Sequence, residues 1–240
     1  MKQTMKIKIC GLTMPEEAAY IVNNAVDFCG MVLFYPKSKR NISIEQAKML
    51  ISELDVAMKR VSTDDKKVGC SLGTEAPKKV AVTVSPTVEQ VDEIIKCGFD
   101  IIQIHGNLDK LIVDNCTIPI LRAYNSSDIP KGGTFFDIPE LKELLINEKI
   151  IGFLFDASIP GSGKSFDYEL LRNIKLGDKL FALAGGLNFE NVKDSIERMS
   201  NAGLGLPDIV DTSSGVENDN GLGKDPVKIE KFVSAVRNLA

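Results

Sequence analysis

A chain of 240 residues with 44% hydrophobic side chains can bury one large core, and its size suits a barrel of alternating strands and helices, which needs about 250 residues. The net charge of -4 excludes a general attraction for nucleic acid, and no apolar run approaches the roughly 20 residues of a membrane span. Five cysteines without a C-x-x-C pair, beside a single histidine, argue against a disulfide framework or a zinc site. Met1 to Lys8 passes directly into alternating basic and apolar residues without a signal-peptide core, so a cytoplasmic protein with reduced thiols is expected.

Residues 6–11 read as a strand ending in Cys10-Gly11, and Pro15-Glu16-Glu17 opens a helix with proline and acids in its first turn. Residues 26–35 form a second strand, followed by the basic loop Pro36 to Asn41 and a helix from Ile44 to about Lys59. The polar, glycine-containing stretch 62–77 reads as an excursion between elements. A strand at 79–84, a helix at 87–96, a strand at 99–104, a helix at 108–115 and a strand at 118–123 continue the alternation. A second excursion, 125–133, precedes a helix over 138–146.

The sixth strand, Ile150 to Asp156, is almost wholly apolar, as for a strand buried on both faces, and a helix is expected from near Asp167. Residues 179–184 give a seventh strand and 189–199 its helix, with Asn188 placed as N-cap. Residues 207–212 give an eighth strand, and Asp225-Pro226 starts a last helix reaching about Val236. Eight strands alternating with eight helices, without a break in composition, imply parallel strands and right-handed crossovers. The expected fold is a single (β/α)8 TIM barrel spanning residues 1–240 as one domain.

In such a barrel chemistry sits at the carboxyl ends of the strands, which makes Asp156 the first catalytic candidate, against the alternative that it begins a turn or caps a helix. Cys10 ends the first strand as Asp156 ends the sixth, so a thiol and a carboxyl could face one substrate, one taking a proton and the other giving it, an isomerase arrangement. The alternative for Cys10 is a small buried hydrophobe. Gly185-Gly186 and Ser213-Ser214-Gly215 follow the last two strands, where barrels hold phosphate against backbone amides; tight turns would explain the same residues. Arg40, after the second strand, could pair with a substrate carboxylate or lie in a solvated loop, and His105 reads as a ring hydrogen-bonded at the rim. Gly161-Ser162-Gly163-Lys164-Ser165 imitates the end of a P-loop, but the required first glycine is Ser158, and an active-site lid accounts for the glycines better.

Lys8 to Thr13, Phe34 to Arg40, Gln103 to Gly106, Ala184 to Asn188 and Asp211 to Glu217 together resemble the phosphoribosylanthranilate isomerases of tryptophan biosynthesis, and they occur in family order along nearly the whole chain. The resemblance implies a cofactor-free Amadori rearrangement of N-(5-phosphoribosyl)anthranilate to the 1-deoxyribulose 5-phosphate product, by a monomer or homodimer acting on a small phosphorylated substrate. It implies Asp156 as the general acid for the furanose ring oxygen and Cys10 as the general base that removes the C2 proton. Arg40 would hold the anthranilate carboxylate, and Gly185, Gly186, Ser214 and Gly215 the phosphate. Departures from the family pattern stand at Pro160, at Tyr168 and at Val82 to Ser85, and bear on lid motion and substrate packing. Two other readings compete. One is the related isomerase of histidine biosynthesis, which carries an aspartate where this chain has Cys10. The other is a non-catalytic barrel that binds a phosphorylated metabolite.

Overall fold

The computed structural model describes residues 5–68, 75–156, 168–171, 174–201 and 203–239. Its barrel strands are β1 (Lys6–Cys10), β2 (Phe28–Leu33), β3 (Lys78–Val84), β4 (Ile101–His105), β5 (Ile120–Asn125), β6 (Ile150–Asp156), β7 (Leu180–Ala184) and β8 (Ile209–Thr212). Each pairs in parallel with the next, and β1 pairs with both β2 and β8, which closes the ring. The expected (β/α)8 barrel is formed. A two-residue strand, Asn41–Ile42, adds beside β2 outside the ring.

The helices are α1 (Glu17–Asn23), α2 (Ile44–Val68), α3 (Val88–Cys97), α4 (Lys110–Asn115), α5 (Leu141–Leu145), α6 (Val192–Asn201) and α7 (Pro226–Arg237). Alternation along each strand divides the core into two shells. Ile7 and Ile9 of β1 pack outward with Ile21 of α1 and Ile229 and Phe232 of α7. Cys10 packs inward with Phe28, Val32, Val82 and Leu154. With both faces covered, a strand needs no polar side, which is why β6 reads as a continuous apolar run.

Helix starts follow local chemistry. Thr87 and Gln90 form a capping box before α3, and Gly98 ends it in the left-handed conformation. Asp225 accepts from the amides of Val227 and Lys228, with Pro226 in the first turn of α7. At α1 the first turn behaves differently from the simple acidic start. The buried carboxylate of Glu17 bends back to accept from the amides of Thr13 (2.6 Å), Met14 (3.0 Å) and Lys224 (2.6 Å), tying the β1–α1 loop to the segment before α7.

Three expectations need correction or limit. Helix α2 does not stop near Lys59 but runs to Val68, taking in the first part of the stretch read as an excursion. No glycine or proline interrupts the chain between Ile44 and Val68, so the polar composition lowers amphipathicity without breaking the helix. The helix expected over 138–146 is α-helical only at Leu141–Leu145, because Pro139 lacks an amide and restricts the residue before it; a 3₁₀ turn, Phe135–Asp137, precedes it. The helix after β6 was expected near Asp167; the described residues there hold a 3₁₀ turn, Tyr168–Leu171. Ser158, Pro160 and the glycine-rich loop with Lys164 lie outside the described residues, as does Cys70.

Candidate active site

Cys10 is the last residue of β1, and its inward side chain is almost buried. Gly30 on β2 makes the room: a Cβ there would stand 3.0 Å from the Cys10 sulfur and 3.2 Å from its Cα. Lys8 shares the inward face of β1 two residues earlier, and Asp211 is its register partner on β8. The Lys8 Nζ to Asp211 Oδ1 distance is 3.0 Å, inside the barrel, with Lys8 fully buried. Asp156 ends β6, half-buried, paired in register with Asn125 and Ala184, and its charge is felt at Asp211. The two sequence candidates therefore face one interior, with the Lys8–Asp211 pair beside Cys10 and the charge of Asp156 acting on Asp211.

Electrostatics at Cys10 pull in opposite directions. Burial pushes the thiol above its ordinary range; the Lys8 ammonium pulls it down, Asp211 pushes it up, and Lys224 pulls it down. The net direction is upward. Lys8 itself stays protonated: burial opposes its charge, but Asp211 and the Cys10 sulfur favour it, and the net shift is upward. Burial pushes the Asp211 carboxyl up more than Lys8 pulls it down, so the two partners disagree; the 3.0 Å contact with a lysine that is itself shifted upward favours the ion pair.

Arg40 lies across the mouth of β1. A Cβ at Gly11, whose φ is +80°, would collide with Arg40 Cδ, so glycine is what lets the arginine stem pass. Arg40 Nε is paired with the buried carboxylate of Glu217, which also accepts from Lys39 Nζ at 2.9 Å and lies 3.5 Å from Lys224 Nζ. Burial alone would raise the Glu217 carboxyl, but the bonds from Arg40 and Lys39 hold it below the usual carboxylate range. Arg40 thus lies in the loop after β2 with its guanidinium held by Glu217 and a quarter exposed.

The two small-residue turns meet. Thr212 Oγ1 donates to the Leu187 carbonyl at 2.5 Å, and a Cβ at Gly215 would run into that same carbonyl oxygen and into Asn188. Gly185 and Gly186 both have positive φ, at 112° and 64°, and Ser214 is exposed at the start of a short 3₁₀ turn, Ser214–Val216. Asn188 caps the following turn, its Oδ1 accepting from the amides of Glu190 and Asn191. Ser213 Oγ donates to the Cys10 carbonyl at 2.9 Å, which joins the β8 turn to the end of β1.

His105 ends β4 half-buried, its Nε2 2.8 Å from Gln103 Nε2. Burial, then the charges of Lys8 and Arg122, lower its pKa to about 4, so it is neutral at physiological pH. Lys8, Asp211, Glu217 and Lys224 were not singled out by the sequence. The available signal was weak: an inward lysine two residues before Cys10 and an aspartate two before Ser213 are charges in apolar strands, which burial makes costly unless paired.

Over residues 7–235 the sequence matches the family described as N-(5'-phosphoribosyl)anthranilate isomerase. A protein of that name from Streptococcus mutans is 37% identical, the alignment covering 97% of this chain and 98% of the relative. One from Clostridium kluyveri is 34% identical over 98% of this chain and 99% of its own length. The crystal structure of phosphoribosyl anthranilate isomerase from Thermotoga maritima superposes with a TM-score of 0.70 at 28% identity, covering 98% of this chain and all of that one. A further isomerase structure, in complex with reduced 1-(o-carboxyphenylamino)-1-deoxyribulose 5-phosphate, superposes at 0.68 with 26% identity, over 98% and 100% of the two chains. Sequence match and barrel agree from end to end, and the chain belongs to the N-(5'-phosphoribosyl)anthranilate isomerase family, enzymes of tryptophan biosynthesis.

Proposed function

We propose that this chain rearranges N-(5'-phosphoribosyl)anthranilate with Asp156 as general acid and Cys10 as general base. The observation that carries the reading is that Cys10 and Asp156 end β1 and β6 on the inward face of one barrel, Cys10 within the inner core and Asp156 two residues after inward Leu154, close enough to influence Asp211. Asp156 gives its proton to the furanose ring oxygen, the bond from that oxygen to C1 breaks, and the nitrogen lone pair forms a Schiff base. The Cys10 thiolate then takes the C2 proton; the freed electron pair forms the C1–C2 double bond as the C1–N π pair returns to nitrogen, and the resulting enolamine becomes the ketone by gaining a proton at C1 and losing the one on the C2 hydroxyl. Acid and base suffice for this sequence, so no cofactor enters it.

The opposite ends of the substrate have matching partners. The touching turns at Gly185, Gly186, Ser214 and Gly215 offer backbone amides to a phosphate. Arg40, fixed by Glu217 through Nε, keeps its two terminal nitrogens for the anthranilate carboxylate. The product analogue bound by a solved relative carries both a carboxyphenyl and a 5-phosphate group, which supports assigning the two ends in this way. A monomer or a homodimer is proposed, the isomerase from Thermotoga maritima being a dimer whose monomers have also been solved, and sedimentation equilibrium separates the two states.

Asp156→Asn tests the acid. The amide cannot donate a comparable proton, so kcat is expected to fall by about 10²-fold or more while product affinity changes little. Near-normal kcat in this variant contradicts the role.

A further inference from the structure

We propose that Lys8, held in place by Asp211, is a positioning residue for the reaction: its ammonium is the counter-ion that lets Cys10 act as a thiolate inside the barrel. The proposal rests on the reading of Cys10 as the base and adds the group that makes that base usable. Lys8 and Cys10 lie on the same inward face of β1, two residues apart, or about 7 Å along the strand. The long lysine stem is of that length and runs along the inward face that carries Cys10; its ammonium donates to Asp211 Oδ1 at 3.0 Å, and its charge acts on the Cys10 sulfur.

A fully buried ammonium is an expensive element in a barrel core, and Asp211 compensates its charge from the neighbouring strand. Structural packing alone would be served by an apolar side chain at the same place, as at Phe28 or Val80 in the same shell. The other charged groups facing the thiol divide by sign. Lys224, whose Nζ donates to the Ser213 carbonyl at 3.0 Å, assists from the β8–α7 segment. Asp211 opposes from β8, and Asp156 on β6 acts through Asp211. His105 on β4 is neutral and contributes no cation. Among these charges Lys8 acts most strongly on the sulfur, and it works against the burial that favours the protonated thiol.

The experiment reads the thiol directly. All variants carry Cys70→Ser, and the rate of Cys10 carbamidomethylation by iodoacetamide is followed by peptide mass spectrometry from neutral to alkaline pH. Cys29, Cys97 and Cys116 are buried thiols pushed upward, Cys29 to about 12, so the mass-resolved Cys10 signal is separable from theirs. Lys8→Met leaves Asp211 unpaired, so it is made beside the neutral double variant Lys8→Met/Asp211→Asn, with folding checked by circular dichroism and thermal melting. In folded Lys8→Met the alkylation midpoint is expected to rise by about 1 unit or more, the effect of losing an opposite charge at close range, and in the double variant by less, because Asp211, which pushes the thiol up, is lost with it. Alkylation at neutral pH then slows about tenfold or more, and kcat falls by a similar factor with product affinity retained. An unchanged midpoint in folded Lys8→Met, or in the double variant where Lys8→Met alone does not fold, overturns the proposal. A raised midpoint with unchanged kcat leaves the charge coupling intact and overturns the catalytic part, because the thiolate would then not be the base.

Discussion

At the residue scale, the site depends on charges held by partners distant in sequence. Cys10 and Asp156 were legible because each stands at the end of a strand in the sequence itself. The groups that condition them were not: Lys8 and Asp211 are separated by 203 residues, and Arg40 and Glu217 by 177, and no local pattern announces a pairing across a closed ring. The Arg40–Glu217 contact carries a direct consequence. Glu217→Gln keeps the shape but removes the anion, and the resulting loss of order in the guanidinium is expected to raise KM about tenfold, or about 1.4 kcal/mol, with kcat little changed. Arg40→Ala should cost more, about 2 to 5 kcal/mol, because the substrate carboxylate loses its partner. Assaying both variants on a decarboxylated substrate analogue is decisive: equal losses on analogue and substrate would show that Arg40 does not hold the carboxylate. The Glu217 effect should persist across neutral pH. Its carboxyl is held below the ordinary range, so it stays ionised there and loses its charge only as pH falls through that depressed value. For Cys10 in its proposed role as base the same sign applies but the titration lies above neutral pH. Its working form is the thiolate and burial raises the thiol, so kcat should climb from neutral into alkaline pH; a flat profile over that range contradicts a thiolate base.

At the element scale, the strands were the most readable features, because a parallel strand covered on both faces must be a short apolar run. The end of helix α2 is hidden in the sequence for a physical reason. Residues 60–68 carry few apolar side chains, so periodicity faded there, whereas continuation required only the absence of a breaker. The meeting of the β7 and β8 turns was legible only as two separate glycine-rich or serine-rich segments; their contact comes from the adjacency of β7 and β8 in the ring. A charge placed in the β8 turn tests the phosphate assignment. Gly215 is unsuitable, because any side chain there meets the Leu187 carbonyl and would disturb the backbone. Ser214 is exposed, and Ser214→Asp should raise KM about tenfold or more by setting a carboxylate against a phosphate, while the melting temperature stays near that of the parent. An unchanged KM places the phosphate elsewhere.

At the scale of the whole molecule, the barrel is closed at its seam by pairing of β1 with β2 and β8, and α7 reinforces that seam. Arg237 donates to the carbonyls of Met5 and Ala25 and to the Asp27 carboxylate, fastening the last helix to the first two strands. On the far side, buried Arg122 of β5 donates to the carbonyls of Ile104, Gly106 and Ala123 and to Glu140, while Tyr124 donates to the same carboxylate. This network holds the segment between β5 and α5 against the barrel wall, far in sequence terms from any signal that predicted it. Arg122→Ala strips the buried carbonyls and Glu140 of their donor. Equilibrium denaturation should register a loss of about 3 kcal/mol, at the low end for a broken pair because Glu140 is partly exposed. A loss under about 1 kcal/mol would mean that water or another donor replaces it.

The central claim is that a thiol and a carboxyl on opposite sides of one barrel perform the rearrangement, and Cys10→Ala addresses it most directly. The measurement is the loss of phosphoribosylanthranilate fluorescence when purified protein is added, with the Cys10→Ala variant run beside the parent and both shown to be folded. The parent should consume the substrate, and the variant should do so about 10²-fold or more slowly. A folded Cys10→Ala protein that retains most of the parent's kcat would contradict the account, leaving the thiol as packing and assigning the proton to another group at the barrel mouth.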